Sequence, residues 1–365
     1  MSVAAGWCKL GNTGGAPARM FTEAARQDPG KTTMAYPILP NNASGPQCTE
    51  ESTEENLFFS SFYGVVFVLA FVGNILAVWV FSCDNHTNTT TNIYLMHLAV
   101  ADLSYVLILP MRMVYHLSQN HWPFGEVPCR ITGFLFYLNM YASIFFLTCI
   151  SADRFLAIVY PVRSMRVRKP LYANIACVVL WVLVVLGVAP MLGAPQTLQS
   201  SNTTTVCLQL YREKTSSFAL VPLTVGFVVP FVITVTCYLL IIHSLRRGNR
   251  IERHLKDKAI KMIILVLTIF LVCFVPYHIN RYLYILSTSS VPSSCRDRRL
   301  IALSNRITSC LTSLNSCLDP VVYFFVGEKF RERFCHFVCG RRKRTQSVSH
   351  ETKTNESSLS GKSEL

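Results

Sequence analysis

The sequence carries little charge for its length. Of 365 residues, 15% are Asp, Glu, Lys or Arg, against 51% hydrophobic, and mean hydropathy is +0.35. A soluble domain holds about 25% charged residues, so a water-solvated globule is excluded as the main body. Acidic groups are scarcer than basic ones, 20 against 34. No zinc-spaced His group and no nucleophile elbow occurs, and His97 and His243 stand alone, so the sequence gives no basis for an enzyme. No repeat relates the two halves, as an inverted-repeat transporter requires. No ring of like charge or filter loop marks a channel, although an oligomer could assemble one. Residues 1–50 lack an apolar central stretch, so no cleavable leader is expected and the first apolar run acts as membrane signal. Met20 and Met34 are alternative starts.

What is present is a series of long apolar runs. About 20 such residues cross a bilayer as a helix. The runs lie at Leu57–Phe81, Asn92–Leu117, Val127–Tyr160, Leu171–Leu192, Ser216–Leu245, Lys256–Leu286 and Leu300–Val326. They predict an all-α membrane protein, a seven-transmembrane helix bundle over residues 56–326. Residues 1–55 read as an extracellular disordered tail. Over 327–340, Phe330, Phe334, Phe337 and Val338 recur at helical spacing among basic residues, which predicts a short amphipathic helix on the membrane surface. Cys335 and Cys339 there are candidates for palmitoylation, or plain thiols of a cytosolic helix. Residues 341–365 are rich in Ser, Thr and Lys and are expected to be disordered.

The net charge of +14 sits beside the spans, at Arg163–Lys169, Arg246–Lys261, Lys329–Arg333 and Arg341–Arg344. That placement marks a cytoplasmic side rather than nucleic-acid binding. The glycosylation sequons at Asn42 and Asn202 fall on the opposite side, as they must. Those at Asn85, Asn88 and Asn355 fall inside and are chance matches. The expectation is a multi-pass plasma-membrane protein with an extracellular N-terminus and a cytoplasmic C-terminus. Of fourteen Cys, six lie inside apolar runs. Cys48, Cys129, Cys207 and Cys295 lie in or beside outer segments, where disulfides persist. Cys8 and Cys83 have no assigned role.

Ionisable groups within a membrane mark function. Asp102 lies midway along the second run. In the seventh, Asn315, Asp319 and Tyr323 share one helix face, and Pro320 loosens that helix. Asp102, Ser143, Asn315 and Asp319 could hold a sodium ion, or form a hydrogen-bonded network without one. Asp153-Arg154-Phe155 lies at the inner end of the third run, 25 residues or about 38 Å beyond Cys129. An Arg there can meet a cytoplasmic partner or simply snorkel. In the outer third lie Arg112, Arg281 and Arg306, with His116, His278 and Arg130 nearby, and no carboxylate of that third is placed opposite them. Arg112 and His116 are four apart, Tyr277, His278 and Arg281 share a face, and Tyr137 and Tyr141 continue a stripe from Arg130. With Tyr115 they form a candidate binding set for an anionic small molecule with a flat or apolar part. The alternative is that these residues face water at the interface.

Gly73-Asn74, Leu98 to Asp102, Cys129, Asp153-Arg154-Phe155, Trp181, Pro230 with Tyr238, Phe274-Val275-Pro276 and Asp319-Pro320-x-x-Tyr323 fall in order over every run. The chain resembles the rhodopsin-like (class A) G-protein-coupled receptors over residues 55 to 340. Phe155, Phe274 and Asp319 replace the family's commoner Tyr, Trp and Asn, as in its nucleotide and lipid-mediator branch. His278-Ile279-Asn280-Arg281 resembles the His-x-x-Arg signature of nucleotide and leukotriene receptors. The resemblance implies switch roles for Asp153, Arg154, Tyr238, Phe274, Pro276, Asp319, Pro320 and Tyr323. It implies disulfides Cys129–Cys207 and Cys48–Cys295. It also implies a heterotrimeric G protein of the inhibitory class as partner, with receptor kinases and arrestin at the Thr345–Ser360 cluster. The ligand would be of the uracil nucleotide, nucleotide-sugar or cysteinyl leukotriene type. A receptor active without ligand, modulating its relatives, is the alternative. Ser363-Glu364-Leu365 fits a PDZ groove.

Overall fold

The computed structural model describes residues 52–82, 89–199, 204–208, 220–247, 253–287 and 295–339. The expectations for Asn42, Cys48, Asn202 and the C-terminal tail lie outside the described residues.

Seven helices are long and apolar enough to cross a membrane: Thr53–Ser82, Thr90–Leu117, Glu126–Val159, Pro170–Gly193, Leu223–Arg247, Ala259–Ile285 and Arg299–Val326. They are called the first to seventh spans. The third packs against the second, fourth and fifth and forms the centre of the bundle. The fourth is peripheral, with Val178, Val179, Val182, Leu183 and Leu186 all exposed. A helix with such an apolar outer face belongs in a membrane or inside a larger core. A further helix, Glu328–Cys339, follows the seventh span and packs on it through Phe324 and Phe334, with ring centroids 5.8 Å apart. Cys335 is exposed on it.

Proline shapes four spans, and the structure refines the helices expected from the sequence. The second span, expected as one helix, breaks at Leu107–Ile108. Pro110 has no N–H for the Val106 carbonyl, so the ladder cannot continue unbroken. Pro230 lies inside the fifth span. In the sixth, a π-helical turn at Phe270–Phe274 precedes Pro276. Thr312 of the seventh span donates to the Cys273 carbonyl of this turn at 3.0 Å. In the seventh, the interruption falls at Leu314, ahead of Pro320. Pro320 leaves the Ser316 carbonyl without its helical donor, and Asn74 Nδ2 of the first span supplies one at 3.0 Å. Gly73, beside Asn74, permits that approach, because a Cβ there would lie 2.5 Å from Pro320 Cγ.

Candidate functional site

The structure sorts the candidate residues into two ends and a buried polar layer. At the Cys129 end, Cys129 and Cys207 are joined by a disulfide. It anchors a hairpin of β1 (Thr197–Gln199) and β2 (Thr205–Cys207) to the start of the third span. Glu126 reinforces the tie. Its carboxylate accepts from the backbone N–H of Gln196 at 2.6 Å and of Thr197 at 2.8 Å, from the Thr197 hydroxyl, and from Arg130 Nε at 2.7 Å. Arg130 is therefore a scaffold residue paired with a carboxylate, contrary to its placement in a basic set without acids. Tyr115 is likewise packed with Trp122 and the disulfide.

The other candidates of this end form two neighbouring groups. In the first, Arg112, His116 and Arg306 are all buried. The Arg112 guanidinium lies 4.6 Å from the Phe136 ring and 5.6 Å from that of Tyr63, and donates to the Tyr63 hydroxyl at 3.3 Å. His116 stacks between Phe59 and Tyr63, at 5.4 and 5.8 Å. Arg306 donates to Asn120 Oδ1 at 2.9 Å and lies over Phe59. In the second group, the Tyr137 and Tyr277 hydroxyls are 2.8 Å apart. His278 stacks on Phe227 with centroids 4.0 Å apart, and Tyr141 meets its edge. His278 Nδ1 donates to the Phe274 carbonyl at 2.8 Å, which fixes the proton on Nδ1. Its Nε2 is buried with no hydrogen-bond partner among the described residues. Phe136 touches both groups, 5.7 Å from Tyr277 and directly under Arg112. Arg281, one turn beyond His278 on the sixth span, is half-buried over Tyr284. The sequence brought out the charged members but not Phe136, Tyr63 or Phe227, whose aromatic rings look like ordinary core residues on any apolar helix.

Between the ends lies the polar layer. Asp102 accepts from Asn139 at 2.9 Å, Ser316 at 2.9 Å and Tyr323 at 3.1 Å. Tyr323 also reaches Asn74 Oδ1 at 2.9 Å. Ser143 lies in the same layer, 3.5 Å from Asn139 Nδ2. Asp319 falls on the helix face between Ser316 and Tyr323. Both its oxygens, and both amide atoms of Asn315, are buried without a hydrogen-bond partner among the described residues. Hard oxygen donors with one buried acid left unsatisfied fit a small cation chemically.

At the other end, Asp153 is saturated with donors. Thr90 and Thr91 donate at 2.6 and 2.7 Å, and Arg168 makes a two-pronged contact at 2.7 and 2.9 Å. Arg154 takes only a longer share, 3.2 Å, and also donates to Thr91. Tyr238 is held by the Ser151 hydroxyl at 2.6 Å, one helical turn away from Arg154. Tyr238 and Tyr323 are thus engaged with different partners here. Arg168 was invisible as a functional residue in the sequence, lost among the basic residues of its loop.

Seven spans, a disulfide-anchored hairpin and a basic aromatic cluster at one end, and a restrained Asp153-Arg154 pair at the other together define a heptahelical receptor. The chain belongs to the rhodopsin family of 7 transmembrane receptors, whose pattern it matches over residues 73–323. It is a class A G-protein-coupled receptor of the nucleotide and leukotriene branch, a multi-pass plasma-membrane protein and not an enzyme. Among curated proteins it is similar to the uracil nucleotide/cysteinyl leukotriene receptor of Rattus norvegicus, 61% identical over 91% of this chain and 98% of that one. The Homo sapiens receptor of the same name is 62% identical over 88% of both chains. The lysophosphatidic acid receptor 6 of Mus musculus is 36% identical over 79% of this chain and 86% of its own.

Proposed function

We propose that this receptor binds an anionic small molecule at the Cys129 end, of the uracil nucleotide, nucleotide-sugar or cysteinyl leukotriene type, and activates an inhibitory-class G protein at the Arg154 end. The supporting observation is the gathering of Arg112, His116 and Arg306 among aromatic faces at this end. Cations so placed match phosphate or carboxylate oxygens, and the rings of Phe136, Tyr137 and Tyr277 match a flat or apolar part. His278 Nε2 adds an acceptor that a base or hydroxyl donor can meet. The relatives' names specify anionic ligands, in keeping with this chemistry. The Cys129 end is taken as extracellular, with the N-terminus outside and the basic loops inside.

Arg281→Ala and Arg306→Gln should each weaken the response to an anionic agonist by at least tenfold, with surface expression intact, since a charge-assisted contact contributes about 1.5–3 kcal/mol. Unchanged potency in both would sink the anionic pocket.

Asp102, Ser143, Asn315 and Asp319 would hold an allosteric sodium ion. Receptor kinases and arrestin would act on the Thr345–Ser360 cluster, and a PDZ protein on Ser363-Glu364-Leu365. Glycans at Asn42 and Asn202, the Cys48–Cys295 bridge and palmitoylation of Cys335 and Cys339 complete this reading.

A further inference from the structure

A groove of about 470 Å³ opens on the flank of the bundle at the Arg154 end. It lies between the last turns of the third and fifth spans, beside the switch residues Arg154 and Tyr238 and far from the Cys129 end. One wall is apolar: Phe155, Val159 and Leu240. The other is polar: Tyr160, His243, Ser244 and Arg247. Leu240 and Tyr160 are 44% and 46% exposed, so both walls are open to whatever surrounds the bundle. The Phe155 and Tyr160 rings, 5.6 Å apart and nearly perpendicular, both line it. The side chains of His243, Ser244 and Arg247 have no partner among the described residues, and Arg246 and Arg247 close the fifth span.

Depth decides what can fill it. Leu240 to Arg247 is seven residues, about 10 Å of helix. The hydrocarbon core is about 30 Å thick within about 40–45 Å of bilayer, so each headgroup layer is about 6 Å deep. With Arg247 and Val159 at the ends of their spans, His243, Ser244, Arg247 and Tyr160 lie among headgroups, and Leu240 and Phe155 reach the first acyl carbons. A free phosphate would use only half of this groove. The leaflet on the cytoplasmic side is the anionic one.

We infer that this groove is a binding site for an anionic glycerophospholipid. Its phosphate meets Arg247 and His243, and one acyl chain lies along Leu240, Phe155 and Val159. The inference rests on the orientation proposed above. The groove joins the same two spans that Ser151 and Tyr238 join one turn deeper, so an occupant would brace the switch end of the third and fifth spans.

The test uses the full-length receptor in neutral detergent, with native mass spectrometry to count retained lipid. Dioleoyl phosphatidylserine and dioleoyl phosphatidylcholine are the probes, with inorganic phosphate as soluble competitor. Arg247→Ala should cut phosphatidylserine retention about fivefold, near the contribution of one basic residue at a charged surface, and Leu240→Ser should cut it several-fold through lost apolar contact. Arg166→Ala removes the same charge from an exposed position outside the groove and should leave retention unchanged. Phosphatidylcholine should bind weakly, and phosphate should not compete. Equal losses from Arg247→Ala and Arg166→Ala would overturn the site in favour of diffuse attraction. Competition by phosphate with no effect of Leu240→Ser would assign the groove to a free anion instead. Lipid retention in detergent does not depend on sidedness, whereas antibody access to an N-terminal tag on intact cells does, so the two readings fail separately.

Discussion

At the scale of single residues, Asp153 decides how firmly Arg154 is held. Four donors besides Arg154 compete for two oxygens, and Arg168 takes the best geometry. Two substitutions should therefore act in opposite directions. Asp153→Asn removes the anion and should raise ligand-independent nucleotide exchange. Arg168→Ala returns the carboxylate to Arg154 and should lower it, by about fivefold at most, since a partly exposed pair contributes about 1 kcal/mol or less. A GTPγS-binding assay on membranes measures both, and a rise with Arg168→Ala would refute the competition. Charged and amide residues inside apolar runs were legible in the sequence because water-loving groups in lipid stand out. Their partners were not. Asn139, Thr90 and Thr91 bond to Asp102 or Asp153 across helices, and one sequence gives no register between spans. Arg130 is a different case: Glu126, one turn before it on the same helix, is its partner and is visible in the sequence as an i, i+4 pair.

At the scale of elements, spans were legible from hydropathy to within a few residues, because a bilayer imposes a length. The breaks inside them were less so. Proline announces where a carbonyl loses its donor, but not which neighbour answers. Asn74 answers for Ser316, and the second span simply breaks at Leu107–Ile108. The contact of the first and seventh spans should be intolerant of bulk. Gly73→Val must displace Pro320 and should cost about 1–3 kcal/mol, seen as a lower melting temperature of the purified receptor with normal helical content; an unchanged melt would deny the close approach. At the Cys129 end, Glu126→Gln keeps the shape but weakens four contacts to the hairpin and its own helix. It should reduce agonist affinity while leaving basal exchange unaltered, as saturation binding and GTPγS assays together would reveal.

At the scale of the whole molecule, the bundle is inside out relative to a soluble protein. Its exposed faces are apolar, and its interior carries Asn74, Asp102, Ser143, Asn315 and Asp319 from four different spans. This layer lies between the two ends, with Tyr323 bonded to both Asp102 and Asn74 within it. If it holds sodium, replacing choline chloride by sodium chloride at constant ionic strength should raise the melting temperature of the receptor. The rise should vanish in Asp102→Asn, and a rise that persists there would place the ion elsewhere. In the proposed function, an anionic ligand at the Cys129 end drives nucleotide exchange on a G protein through Arg154. The most direct measurement is GDP release from a purified inhibitory heterotrimer by the receptor in nanodiscs, across a panel of uracil nucleotides, nucleotide sugars and cysteinyl leukotrienes. The expected result is acceleration by at least one of these, abolished in Arg154→Ala and shifted to higher concentration in Arg281→Ala. Release that is equally fast without ligand, or equally fast in Arg154→Ala, would contradict it.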